Sequence, residues 1–199
     1  MKNMSQSGSF VNDEQVILAV RKWVETFVVD MNLCPFAKRE LVKDRVRFVS
    51  TSATTEEQLL QVLQTELEIL NADPSVETTV LIHPDVLQDF YDFNDFLGVA
   101  DNLLVDMGLE GIYQIASFHP DYQFGGTQPS DAENYTNRAP YPVLHLLRED
   151  SLERVIADYP NVDDIPERNI ELMNTLGTDK LQALLKSCLD DEGADGGIS

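Results

Sequence analysis

The sequence predicts an α/β (or α+β) fold, a single domain in which helices cover a mixed sheet of about four strands. Three observations carry that expectation. Apolar residues at helical spacing trade places along the chain with short β-branched runs. The 199 residues suit one ordinary core, and no linker or repeat divides them. Strand–helix–strand order favours parallel neighbours joined by right-handed crossovers.

Taken in order, Val16, Ile17, Val20, Val24, Phe27 and Val28 recur at three- and four-residue steps. They predict an amphipathic helix from Asp13 to Met31, capped by Asn12 or Asp13. "NLCPFAKREL" follows, with a short helix over "FAKREL", and "RVRFVST" reads as a strand. Thr54 or Thr55 starts a helix whose inner face is Leu59, Leu60, Leu63 and Leu67, and "NADPS" stops it. "TTVLIHP" is a strand ending at proline. Val86 to Met107 reads as a helix, interrupted near Gly98 and ended by Gly108, and "GIYQIASFHP" is the next strand. After a long irregular passage come the strand "YPVLHLLRE", a helix over "SLERVIADYP" capped by Ser151, and two helices joined at Gly177. Residues 13–189 form the domain; 1–12 are expected to be flexible and 190–199 an acidic, mobile tail.

Charge limits the partners. Fourteen Lys and Arg against 35 Asp and Glu give a net −21. The span from Phe48 to Asn137 holds 16 acids and no Lys or Arg. Such a field repels phosphate backbones and anionic bilayers, so neither nucleic acid nor a membrane is expected as a partner. No secretory signal opens the chain, and two cysteines give no disulfide framework, which together imply a cytoplasmic protein. Oligomeric state and cofactor are not readable.

His83 and His119 each end a strand and each precede Pro-Asp. If those strands run parallel, both imidazoles emerge at one carboxyl edge, where open α/β sheets place ligands. The plainer reading of "HPD" is strand-to-helix punctuation with Asp as N-cap. No helix pattern follows His119. Asp121 to Tyr141 is 21 residues without periodicity, yet it carries Tyr122, Phe124, Tyr135 and Tyr141, which disordered segments lack. Gly125 and Gly126 permit close approach to a ligand. Arg138 suits a carboxylate or phosphate, or else pairs with Asp131 or Glu133. His145 alternates with Val143 and Leu147, so it is either a core histidine held by a hydrogen bond or, on the pocket side, a partner of His119.

Cys34 precedes Pro35 at the expected start of a helix, where the dipole, with Lys38 and Arg39, would favour the thiolate, although a buried, inert cysteine is the more frequent case. "CPFA" locally resembles the single-cysteine turn of glutaredoxin-like and glutathione-transferase folds. Those folds, however, place a strand before that turn, and here a helix pattern precedes it. No local His-x-His or Cys-x-x-Cys pair anchors a metal, and no phosphate-binding glycine motif occurs.

The combination "NLCPFA", "HPD…DFNDFL", "FHPDYQFGGT", "NYTNRAPYPVLHLLRE" and "IPERNIELMNTLG" resembles a bacterial family catalogued as domain of unknown function 1415. The likeness runs from about Trp23 to Gly177 and implies a cytoplasmic protein without an assigned reaction or catalytic residues. The residues themselves suggest an enzyme acting on a small anionic molecule at the carboxyl edge of the sheet. In that reading His119 is acid or base, Asp121 orients it, His83 and Cys34 assist, and Arg138, Asn137, Tyr122, Gly125, Gly126, Thr127 and His145 line the pocket. The alternatives are a binding protein that uses the aromatic loop 121–141, and a metal or thiol-redox protein that uses Cys34.

Overall fold

The computed structural model describes residues 12–190 apart from 158 and 160, so most of the expected N-terminal and C-terminal extensions lies outside the described residues. Four strands form one mixed sheet in the order β1-β2-β4-β3, with β1 Val46–Ser50, β2 Thr78–Ile82, β3 Tyr113–Phe118 and β4 Val143–Arg148. β1 and β2 are parallel, while β4 lies antiparallel between β2 and β3. The expected parallel neighbours are thus found only at β1–β2. The long passage before β4 returns the chain to the carboxyl end of β3, and β4 runs back between its predecessors. β2 and β3 still point the same way, with Ile82 and Phe118 both in register with Val143.

Each face of the sheet carries its own core. On one side α3 (Glu56–Ala72) presents Leu59, Leu63, Leu67 and Leu70, and α4 (Phe90–Asp106) presents Phe93, Phe96, Ala100 and Leu104. These pack on Leu81, Leu144, Leu146 and Tyr113. On the other side α1 (Asp13–Trp23), α6 (Ile165–Leu176) and α7 (Thr178–Leu189) cover Val80, Ile82 and Val143. β2 is buried along its whole length, as a central strand between two apolar layers must be.

Local chemistry sets the helix ends. Asn12 and Thr55 cap α1 and α3 by accepting from Glu14 N–H and Gln58 N–H. The first helix is regular only to Trp23; Val24–Val29 widens into a π-helical turn closed by Asp30 N–H on the Glu25 carbonyl. α4 starts at Phe90 rather than Val86, because Leu87 is left-handed (φ 59°) and the carboxylate of Asp89 accepts from Tyr91 and Asp92 N–H. Asp85 is therefore not the cap, and Gly98 does not interrupt the helix. A short α2 (Ala37–Val42) begins three residues after Cys34, which is not its N-cap. α5 (Glu149–Ala157) continues directly from β4, so Ser151 lies inside it. Among the described residues no helix is long and apolar enough to cross a membrane.

Candidate functional site

The carboxyl edge brings His83 and His119 together, since both imidazoles pack against the ring of Phe93, at centroid distances of 5.7 and 5.1 Å. Both are buried. His83 Nδ1–H donates to the Val86 carbonyl at 3.0 Å, and its Nε2 has no partner among the described residues. Burial pushes His83 down to about 4, so the ring is neutral. His119 Nδ1 accepts from Asp121 N–H at 3.0 Å, which leaves Nε2–H to donate to the Leu87 carbonyl at 3.1 Å. Burial also holds His119 below the usual histidine range. Asp121 thus meets His119 through its main chain. Both imidazoles hold the turn at Val86 and Leu87, including its left-handed residue, in front of α4.

Residues 121–141 are ordered by their own polar groups. The fully buried Asn134 accepts from Phe124 N–H and the Thr127 hydroxyl and donates to the Gln128 carbonyl. Gly126 supplies a positive φ of 87° in the turn between them, and Gly125 precedes it. Asn137 Nδ2–H donates to the Ser117 carbonyl, tying the loop to β3. Tyr122 packs between Phe90 and Phe124, tilted to the first ring and edge-on to the second. Arg138 pairs with neither Asp131 nor Glu133; it donates to the carbonyls of Tyr122 and Pro129 and lies over the Tyr135 ring. Two of its three nitrogens are thus held by the loop.

A markedly apolar cavity lies elsewhere, on the face opposite α3 and α4. Its volume is about 400 Å³. Val143, His145 and Leu147 of β4 form its floor with Thr78, Val80, Ala116 and Phe118 of the flanking strands. Trp23, Val24 and Val28 form one wall, the Cys34–Ala37 turn another, and Leu152 and Val155 of α5 a third. Room exists over His145 because its neighbour on β3 is the small Ala116. The charged groups of the lining are engaged: Glu40 is held by Arg39 and Arg45, Glu77 by Arg45, and Arg148 donates to the carbonyls of Leu70, Asp73 and Val76 and to the Tyr113 hydroxyl.

In the floor of this cavity His145 pairs with Thr78. Its Nε2 lies 2.7 Å from Thr78 Oγ1, whose single proton is donated to the Leu146 carbonyl. The hydroxyl therefore accepts from Nε2–H, and Nδ1 is left as a bare acceptor without a hydrogen-bond partner among the described residues. Burial pushes His145 down to about 4. Cys34, a free thiol, shares the cavity. Burial pushes its thiol up, outweighing the favourable influence of the Phe36 and Ala37 backbone N–H groups. Of the two readings of Cys34, the inert thiol fits this burial and the reactive thiolate does not. Among the described residues no three His, Cys, Asp or Glu side chains group as metal ligands do.

The residues expected to act together therefore divide. His83, His119, Asp121 and the loop from Tyr122 to Arg138 occupy the carboxyl edge, and Cys34 and His145 occupy the cavity. Thr78, Ala116 and Trp23 went unread as site residues. The alternation through Val143, His145 and Leu147 gave the face, but only strand pairing gives the partner.

Fold and site define a one-sheet α/β protein with an internal apolar pocket and a single oriented imidazole in its floor. Residues 15–183 match the family model described as "Protein of unknown function (DUF1415)", and the chain belongs to that family. No curated protein and no solved structure matches it.

Proposed function

We propose that the protein is an enzyme that binds a small, mainly apolar molecule in the cavity and moves a proton there with His145. One observation carries this reading: Nε2–H is fixed on Thr78, so Nδ1 faces an otherwise apolar space as an unpaired base. Being neutral from about pH 5 upward, the ring is in its basic form under ordinary conditions. The edge reading, with His119 as acid or base and Arg138 on an anion, requires the loop to open first, because both imidazole nitrogens and two of the three guanidinium nitrogens are engaged. The cavity reading requires no such opening.

A neutral substrate for carbon-proton abstraction, 5-nitrobenzisoxazole, tests it. Loss of its ring proton to a base breaks the N–O bond and releases a coloured cyanonitrophenolate. The protein should accelerate this over buffer, with a rate that levels off above about pH 5 as His145 loses its proton. His145→Leu should remove the acceleration, and a folded His119→Asn should keep it. Acceleration that survives His145→Leu would refute the assignment.

A further inference from the structure

We propose that the cavity selects neutral, mainly apolar molecules that carry one hydrogen-bond donor, phenols and compact alcohols above all, and rejects carboxylates and phosphates. This rests on the cavity reading above and names its ligand class.

The volume of about 400 Å³ suits a ligand of one or two rings. Rings of Trp23, Phe36 and Phe118 supply flat apolar surface. In the floor the polar demand is one-sided, and the Nε1–H of Trp23, without a partner among the described residues, is itself buried, with almost no surface to offer a ligand. Thr78 has spent its proton on Leu146, and Nδ1 of His145 offers only a lone pair. A bound molecule must therefore bring the hydrogen. An anion brings only acceptors, so its oxygen would face the lone pair with no compensating bond. Nor does the lining repair this, since Arg39 is paired with Glu40 and Arg148 is committed to the carbonyls of Leu70, Asp73 and Val76 and to the Tyr113 hydroxyl, in a chain of net charge −21. A cation fares no better inside, because the carboxylates of Glu40 and Glu77 are already paired and the interior walls are apolar.

The test uses four probes of one shape: 4-methylphenol, 4-methylanisole, 4-methylbenzoate and 4-methylbenzylammonium. Trp23, the chain's single tryptophan, reports occupancy by fluorescence, and protection of Cys34 from alkylation reports it independently in a Cys188→Ser background. The phenol should bind about tenfold more tightly than the anisole, the equivalent of one net hydrogen bond, with both ions weaker than either. In His145→Leu the phenol and anisole should bind alike. If that variant does not fold, Thr78→Val serves, because freeing the ring from one tautomer should narrow the same gap. Tighter binding of the benzoate or the ammonium, or a phenol preference that survives both variants, overturns the ligand class while the cavity still fills. If no probe alters either signal, the cavity reading itself falls, and the ligand class with it.

Discussion

His145 and Thr78 sit on neighbouring antiparallel strands, with Nε2 of the imidazole 2.7 Å from the hydroxyl oxygen, and this bond decides which ring nitrogen meets the cavity. The pair is diagonal across the ladder, since His145 stands opposite Val80 and Thr78 opposite Leu147. Thr78→Val keeps the shape but removes the acceptor. It should destabilise the protein by about 1–3 kcal/mol, the cost of a buried donor without a partner. Nitrogen-15 shifts of His145 should then show both tautomers. Thr78→Ser should restore one tautomer and most of the stability.

Stability should fall on the acid side before the carboxylates titrate. His83 and His145 are both pushed down to about 4 by burial, from 6.5 in the unfolded chain. Between those values the unfolded chain binds protons that the folded protein refuses, so stability is complete above about pH 6.5 and is lost as pH falls toward 4. Each group is worth on the order of 3 kcal/mol across that window. Denaturant unfolding at pH 7, 6 and 5 should show a steady decline, smaller in His83→Gln than in the wild type. A flat profile from pH 7 to 5 would sink this account.

Much of the fold was legible because its signals are local. Leu59, Leu63 and Leu67 mark a helix face, and the β-branched run Thr78–Ile82 marks a strand, whatever else the chain does. The place of β4 was not legible: nothing near Val143 says that it slots between β2 and β3 rather than beside one of them. The start of α4 was hidden for a related reason. His83 and His119 hold the carbonyls of Val86 and Leu87 from two different strands, and a residue such as Leu87 gives no warning of a left-handed conformation. At the site, Cys34 and His145 could each be singled out. Their common cavity could not, because it depends on the π-helical turn at Val24–Val29 and on the packing of α5 over β4.

The loop after β3 depends on one amide. Asn134 is fully buried and makes three hydrogen bonds to Phe124, Thr127 and Gln128. Asn134→Ala leaves those groups without their partner and should cost on the order of 2–3 kcal/mol. Hydrogen exchange should quicken at the Phe124 amide. Protection of Cys34 by bound 4-methylphenol should persist in the variant if the cavity is independent of the loop. Loss of that protection in a folded Asn134→Ala would tie the loop to binding.

His119→Asn distinguishes the two places where chemistry could sit. An imidazole whose nitrogens are both bonded to backbone groups is part of the framework, so its removal should be expensive. The shorter amide cannot span from Asp121 N–H to the Leu87 carbonyl as the ring does, and the space beside Phe93 is left underfilled. The expected loss is about 2–4 kcal/mol, seen as a lower denaturation midpoint, with faster exchange at the start of α4. Ligand binding in the cavity should be unchanged below the new midpoint, because His145 lies on the opposite face of the sheet. The contrary result is equally clear. A variant of wild-type stability that no longer turns over or binds its ligand would mean that His119 is held only loosely by Leu87, and that the loop from Tyr122 to Arg138 opens to admit a substrate there.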